Sequence, residues 1–163
     1  MSNVILVILI GIGATAVMDL WAILRNKLLG IPPTNWGMVG RWMAHMLNGQ
    51  FRHDSITSLN TINYEHLIGW VVHYLTGIIY AGLLIGICGI SWMHDPTITP
   101  ALIIGISTVV MPLFIMQPCM GMGVAASKTP KPNSVRLHSF INHTVFGLGL
   151  YVSGLVVELA FSI

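Results

Sequence analysis

Apolar residues run along this chain in four long, nearly uncharged blocks. Val4–Leu24 is interrupted only by Asp19, and Leu67–Ile90 only by His73. Ile98–Met116 carries no ionisable group, and Ser139–Val157 carries only His143. A helix that crosses lipid needs about 20 mostly apolar residues, and each block is of that length. The blocks are too long for strands and lack the in–out alternation of a membrane barrel. The pattern therefore predicts an all-α fold: a polytopic membrane four-helix bundle with spans at about 4–24, 67–90, 98–116 and 139–157.

The connections are patterned too. Within residues 25–65, Trp36, Val39, Met43 and Met46 recur at helical spacing, while Gly37, Arg41, His45 and Asn48 line the other side. Asn35, after Pro32-Pro33, is placed to cap such a helix. This predicts a short amphipathic helix, either lying in the membrane interface with Trp36 and Trp42 as anchors or packed on the end of the bundle. The third span should start with Asp95 as cap and Pro96 in the first turn. Pro112 should distort it, because proline removes a backbone donor. Residues 117–127 carry no charge and are expected to turn back against the bundle, since irregular backbone at membrane depth needs protein or a cavity beside it. Lys128–Pro132 reads as a solvated, extended turn. Gly123…Lys128-Thr129 is no phosphate loop: Ser127 and Met122 stand where that loop needs glycine.

Composition agrees with the pattern. Charged residues make up 7% of the chain, against roughly 25% in an average soluble domain, and the mean hydropathy is +0.80. Nothing resembles an interdomain linker, so residues 1–163 read as a single membrane domain. A net charge of +2 with no basic tract argues against nucleic acid as a partner. All seven Lys and Arg residues fall in the connections 25–65 and 117–138. Cation-rich loops stay in the cytoplasm, so both termini are expected outside it. Ala14-Thr15-Ala16 looks like a signal-peptidase site, but Met1-Ser2-Asn3 lacks the cation a signal peptide carries, so the first span is expected to be retained. That topology puts Cys88 and Cys119 on opposite faces of the membrane, too far apart for a disulfide.

Ionisable groups inside spans usually face the bundle interior and mark function. Asp19 continues a row of small residues, Gly11 and Thr15, at spacing four. His73 lies in the row Gly69, His73, Gly77, Ala81, and His143 precedes Gly147 and Gly154 on one stripe. Small residues mark helix–helix seams, so all three should point at neighbouring helices. At about 1.5 Å per residue, each falls on the order of 10 Å inside the cytoplasmic boundary, with Glu65, His66, His138 and Gln117 bordering that layer and Arg41 or Arg25 available to pair with Asp19. Asp19, His73, His143, Glu65, Arg41 and Gln117 are thus the candidate ligand- or ion-binding residues. The methionines read mostly as packing residues, and His45 and His53 as solvated loop residues.

Five strings together resemble a bacterial domain-of-unknown-function family of small four-span membrane proteins: GIGATAVMDLWA, NWGMVGRW, GWVVHYLTG, MQPCMGMGVAASKTP and HTVFGLGLY. The resemblance runs from about residue 8 to about residue 152. It implies a bacterial inner-membrane location and the same span count. No activity is assigned to that family, so it transfers no catalytic residue.

Three functions compete at this point. The first is binding and translocation of a small solute or ion, with Asp19 protonatable and His73 and His143 as partners. A homodimer, with Gly82 and Gly86 at its seam, would then help to enclose a path. The second is a membrane-embedded haem or transition-metal protein, ligated by His73 and His143 or by these with Asp19. The third is a structural partner subunit. No Gly-x-Ser-x-Gly elbow or His-Glu-x-x-His helix supports a hydrolase.

Overall fold

The computed structural model describes residues 2–161; Met1, Ser162 and Ile163, which belong to the expected outer tails, lie outside them. The described residues form helices and no strands. In chain order the α-helices are α1 (Asn3–Leu29), α2 (Trp36–Met46), α3 (Glu65–Cys88), α4 (Ser91–His94), α5 (Ile98–Ser107), α6 (Gln117–Cys119) and α7 (Pro132–Phe161). Four helical stretches are long and apolar enough to cross a membrane: Asn3–Leu29, Glu65–Cys88, Ile98–Cys119 and Pro132–Phe161. Their outward residues are apolar as well; Leu20, Ile79 and Ile87 are each 66% exposed. A surface of this kind suits lipid rather than water. The chain is a multi-pass helical membrane protein.

The spans are longer than the uncharged blocks because flanking polar residues stay helical. α1 continues through Arg25 and Lys27 and stops where Gly30 takes a left-handed conformation, φ 65°, with its N–H bonded to the Asn26 carbonyl. That is the usual glycine stop, and Pro32-Pro33 follows it. α7 begins at Pro132, seven residues before the apolar block that starts at Ser139. The third span starts later than expected: Asp95 closes the short α4, and Thr97 precedes the first residue of α5. Pro112 has the foreseen effect in a different form. The helix widens into a π-turn over Met111–Met116, which accommodates the missing proline N–H without ending the span.

The chain divides into two compact units. The first unit comprises the described residues up to Pro33, Tyr74–Thr108, and those from Ile141 onward. Its core is Leu6, Ile10, Ala14, Leu84, Met93 and Leu150 with their neighbours. Helices approach closely there because both partners are small. A Cβ on Gly11 would run into the Ile78 backbone, one on Gly149 into Ala14, and one on Gly105 into Gly147. α1 is antiparallel to α7, with Gly13 against Ser153 and Arg25 against Asn142. The start of α1 and the end of α7 therefore lie at the same end of this unit.

The second unit comprises Thr34–His73 and Val109–Phe140. Here α2 crosses the first turns of α3. Asn35 caps α2, accepting the Met38 N–H at 3.3 Å. Glycines again permit the crossing: a Cβ on Gly40 would strike the Glu65 carbonyl oxygen, and one on Gly69 the Trp36 carbonyl oxygen. The side of α2 that the sequence pattern left polar is in fact covered, with Gly37, Gly40 and Arg41 all buried. The helix uses glycines and one charge, rather than its methionines, to meet α3.

Candidate functional site

In the first unit, the row Gly11, Thr15, Asp19 faces α3 as its spacing predicts. Gly11 lies against Ile78, Thr15 against Gly77, and Asp19 Oδ2 accepts a hydrogen bond from the Tyr74 hydroxyl at 2.9 Å. His143 on α7 faces the end of α5. Thr108 Oγ1 donates to the Gly105 carbonyl at 2.7 Å, so His143 Nδ1, 3.0 Å away, is the donor to Thr108. Arg25 is only 5% exposed although it lies near the end of α1. It bonds Asn142 Oδ1 at 3.0 Å and the Pro32 carbonyl at 3.3 Å, while its Nε has no partner.

In the second unit, Arg41 and Glu65 form a closed ion pair. Arg41 Nε meets Glu65 Oε2 at 2.9 Å, and Nη2 meets Oε1 at 3.0 Å. Nη1 donates to the carbonyls of Ile56 and Leu59, at 3.1 and 2.7 Å. Glu65 Oε2 also accepts the Ile62 N–H at 3.1 Å. The hydrogen bonds that Arg41 donates to Glu65 hold its guanidinium above its ordinary pKa, outweighing the opposite pull of burial. One charged cluster thus fastens α2, the 56–62 loop and the start of α3. Both side chains are spent on each other and on the backbone.

His73 lies against aromatic rings. Its imidazole stacks on Trp36, centroids 3.9 Å apart, with Trp70 edge-on at 5.8 Å. Among the described residues, no three His, Cys, Asp or Glu groups gather closely enough to hold a metal ion. Asp19, His73 and His143 each have a different neighbour: Tyr74, Trp36 and Thr108 respectively.

The uncharged 117–127 segment packs against the 51–56 loop. His53 N–H donates to the Cys119 carbonyl at 2.8 Å, and Ile56 N–H to the Met120 carbonyl at 3.1 Å. Gly121, at φ 87°, has room for no side chain beside the Asp54 carbonyl. Gln117 is 5% exposed, and its Oε1 is buried without a partner. A cavity of about 250 Å³ opens beside this segment, lined in part by His53, Arg52 and Lys128.

A family model described as protein of unknown function (DUF2938) matches residues 8–157. The chain belongs to that family. No curated protein and no solved structure matches it. The DUF2938 match covers residues of both units, among them Asp19, Tyr74, Arg41, Glu65, Gln117 and His143.

Sequence reasoning passed over one feature of this DUF2938 protein. Trp42, Ile56 and Met120 form a second buried core, and Met38, Met43, Met46, Met116, Met122 and Cys119 pack around it. Six of the ten methionines therefore share one cluster. His53, expected to be solvated, is half-buried, and its Nε2 is buried without a partner. The signal was present in Met116-x-x-Cys119-Met120-x-Met122 and in the three methionines of α2, but only the fold brings the two strings together.

Proposed function

We propose that this chain is a bacterial inner-membrane protein that binds and moves a small solute or ion, with Asp19 as its protonatable group. The observation that carries this reading is the 2.9 Å hydrogen bond from Tyr74 to Asp19, which ties together two candidate spans. An ionisable group inside a span is costly and is normally kept for function. A hydroxyl partner suits a group that gains and loses a proton. It donates to the carboxylate and can accept from the carboxylic acid, so the pairing survives either state. Closed pairing of Arg41 with Glu65 makes that pair a fastener of the second unit rather than a ligand contact. His143, held by Thr108, serves as a polar wall group of the first unit. In this reading the two cation-bearing connections face the cytoplasm and both termini lie outside it. A homodimer completes the path. A Cβ added to Gly86 on α3 would meet nothing within 4 Å, and one added to Gly82 would meet only Val7 at 3.8 Å, so this face is left open within the chain.

The test is flux in vesicles holding purified protein and an entrapped pH dye, challenged in turn with inorganic cations, small organic acids and amines. The expected result is a solute-dependent pH change that Asp19→Asn abolishes and Tyr74→Phe slows. No pH change with any solute, or an equal change in Asp19→Asn, would overturn the reading.

A further inference from the structure

We propose that the second unit carries a binding site for the phosphate of an anionic phospholipid headgroup, held by Arg52 and Lys128 in the cavity that both line. This goes beyond the function proposed above: Asp19 and Tyr74 take no part in it, and it holds whether or not any solute is moved.

Two separate pieces of chain build the cavity. Arg52, His53 and Asp54 come from the loop after α2, and Pro118, Ser127 and Lys128 from the stretch after the π-turn. Backbone bonds hold the two pieces together: the His53 N–H donates to the Cys119 carbonyl at 2.8 Å, and the Ile56 N–H to the Met120 carbonyl at 3.1 Å. The Lys128 N–H closes its own turn on the Met122 carbonyl at 2.9 Å. Gly123, at φ 77°, has room for no side chain, because a Cβ there would strike Ser127 Oγ and crowd Lys128. That close approach is what folds Ser127 and Lys128 back to line the cavity. Arg52 and Lys128 are exposed, and among the described residues neither side chain has an ion pair or a hydrogen bond. Their charges are therefore available to a ligand. The lining residue His53 adds a polar atom, its Nε2, that is buried without a partner, a state normally relieved by a bound water or ion.

Size, position and charge select the occupant. At about 250 Å³ the cavity is smaller than the roughly 300–1,000 Å³ of a site for a drug-sized molecule. It admits a headgroup and leaves acyl chains outside. Pro118 is the second-last residue of the apolar stretch Ile98–Cys119, so the cavity opens where that candidate span ends. Headgroups lie at that depth, just beyond the hydrocarbon core, and basic pockets near span ends bind them. Val124, 56% exposed on the same lining, gives the acyl chains an apolar rim. Arginine matches phosphate oxygens with a two-point fork, and lysine adds a point charge. Two cations against the Asp54 carboxylate leave one net positive charge, which a singly charged phosphodiester balances. A free phosphate or phosphomonoester, at about −1.5 to −2 near pH 7, would stay net negative beside Asp54. Phosphatidylcholine would bring its own cation to a lining that is already positive.

The test is native mass spectrometry of the full-length protein in neutral detergent, titrated with phosphatidylglycerol or with phosphatidylcholine. The wild-type chain should retain one phosphatidylglycerol and prefer it about tenfold over phosphatidylcholine. Arg52→Gln combined with Lys128→Gln removes both charge-assisted contacts and should weaken retention about tenfold, with the helical circular dichroism unchanged. Gly123→Ala keeps every charge but displaces Ser127 and Lys128, and should weaken retention as well. Lys131→Gln, at an exposed cation outside the cavity lining, should leave retention unchanged, as should millimolar inorganic phosphate. Equal retention of the two lipids, or a double variant that holds phosphatidylglycerol as tightly as wild type, would overturn the proposal. So would a loss in Lys131→Gln as large as in the double variant, which would mean diffuse surface charge. Displacement of the lipid by inorganic phosphate would make this a site for the free ion instead.

Discussion

Arg41 and Glu65 face each other as a two-point ion pair, 2.9 and 3.0 Å between their heavy atoms, although they are 24 residues apart and come from different helices. Each is less than 10% exposed. Removing one partner from such a pair leaves an uncompensated buried charge, typically worth 3–5 kcal/mol. Arg41→Met should therefore lower stability by about 3–5 kcal/mol, and Glu65→Leu by a similar amount. The double variant should lose much less than the sum, because no charge is left stranded. Thermal unfolding in detergent, followed by circular dichroism, measures all three. Additive losses would show that the two side chains act separately.

The polar contact at the other end of the scale is Thr108 with His143. Hydrogen bonds between membrane helices average only about 0.6 kcal/mol. Thr108→Val should thus cost well under half of what Arg41→Met costs, by the same unfolding measurement. A loss as large as that of the ion pair would make Thr108–His143 the anchor of the first unit.

Glycines divide by what stands over them. Gly40→Ala and Gly69→Ala place a methyl group against a backbone carbonyl of the partner helix, which cannot retreat alone; overpacking of this kind costs about 1–3 kcal/mol. Gly86→Ala meets open space and should leave the melting temperature unchanged or slightly raised, since alanine is the better helix former. Equal effects at the three positions would contradict the packing of α2 on α3.

The proposed dimer makes a prediction of its own. Gly86→Leu should leave the chain folded but convert a two-chain species to a one-chain species in lipid nanodiscs, counted by single-molecule mass measurement. A wild-type protein that is already a single chain there would remove the dimer from the functional proposal.

Sidedness is equally direct to test. Alkaline phosphatase fused after the last residue should be active in intact bacteria, and a fluorescent protein at the same place dark. The reverse would put the cation-bearing connections outside and turn the proposed site to the opposite face.

Much of this protein is written in local pattern. Four nearly uncharged blocks can only be helices in lipid, because every backbone group must be bonded within its own segment. Asn35 as a cap and Pro112 as a disturbance follow from single-residue chemistry. The rows Gly11–Thr15–Asp19 and His143–Gly147 announce their faces because helical periodicity and the need for close approach leave small residues on the seam. What pattern alone did not give was pairing at a distance. Arg41 read as a residue of the polar side of α2 and as a candidate ligand, since nothing in its neighbourhood mentions Glu65. The tertiary structure decided that this charge is buried, because only there do Gly40 and Gly69 let α2 press onto α3. The methionine-rich second core was decided in the same way. Each string looks like ordinary apolar filling, and only the fold packs the methionines of α2 and those of 116–122 into one core. Sequence determined which residues are helical and which faces are small. The fold determined which charges meet, because the partners of a buried polar group are chosen by long-range packing that no local period encodes.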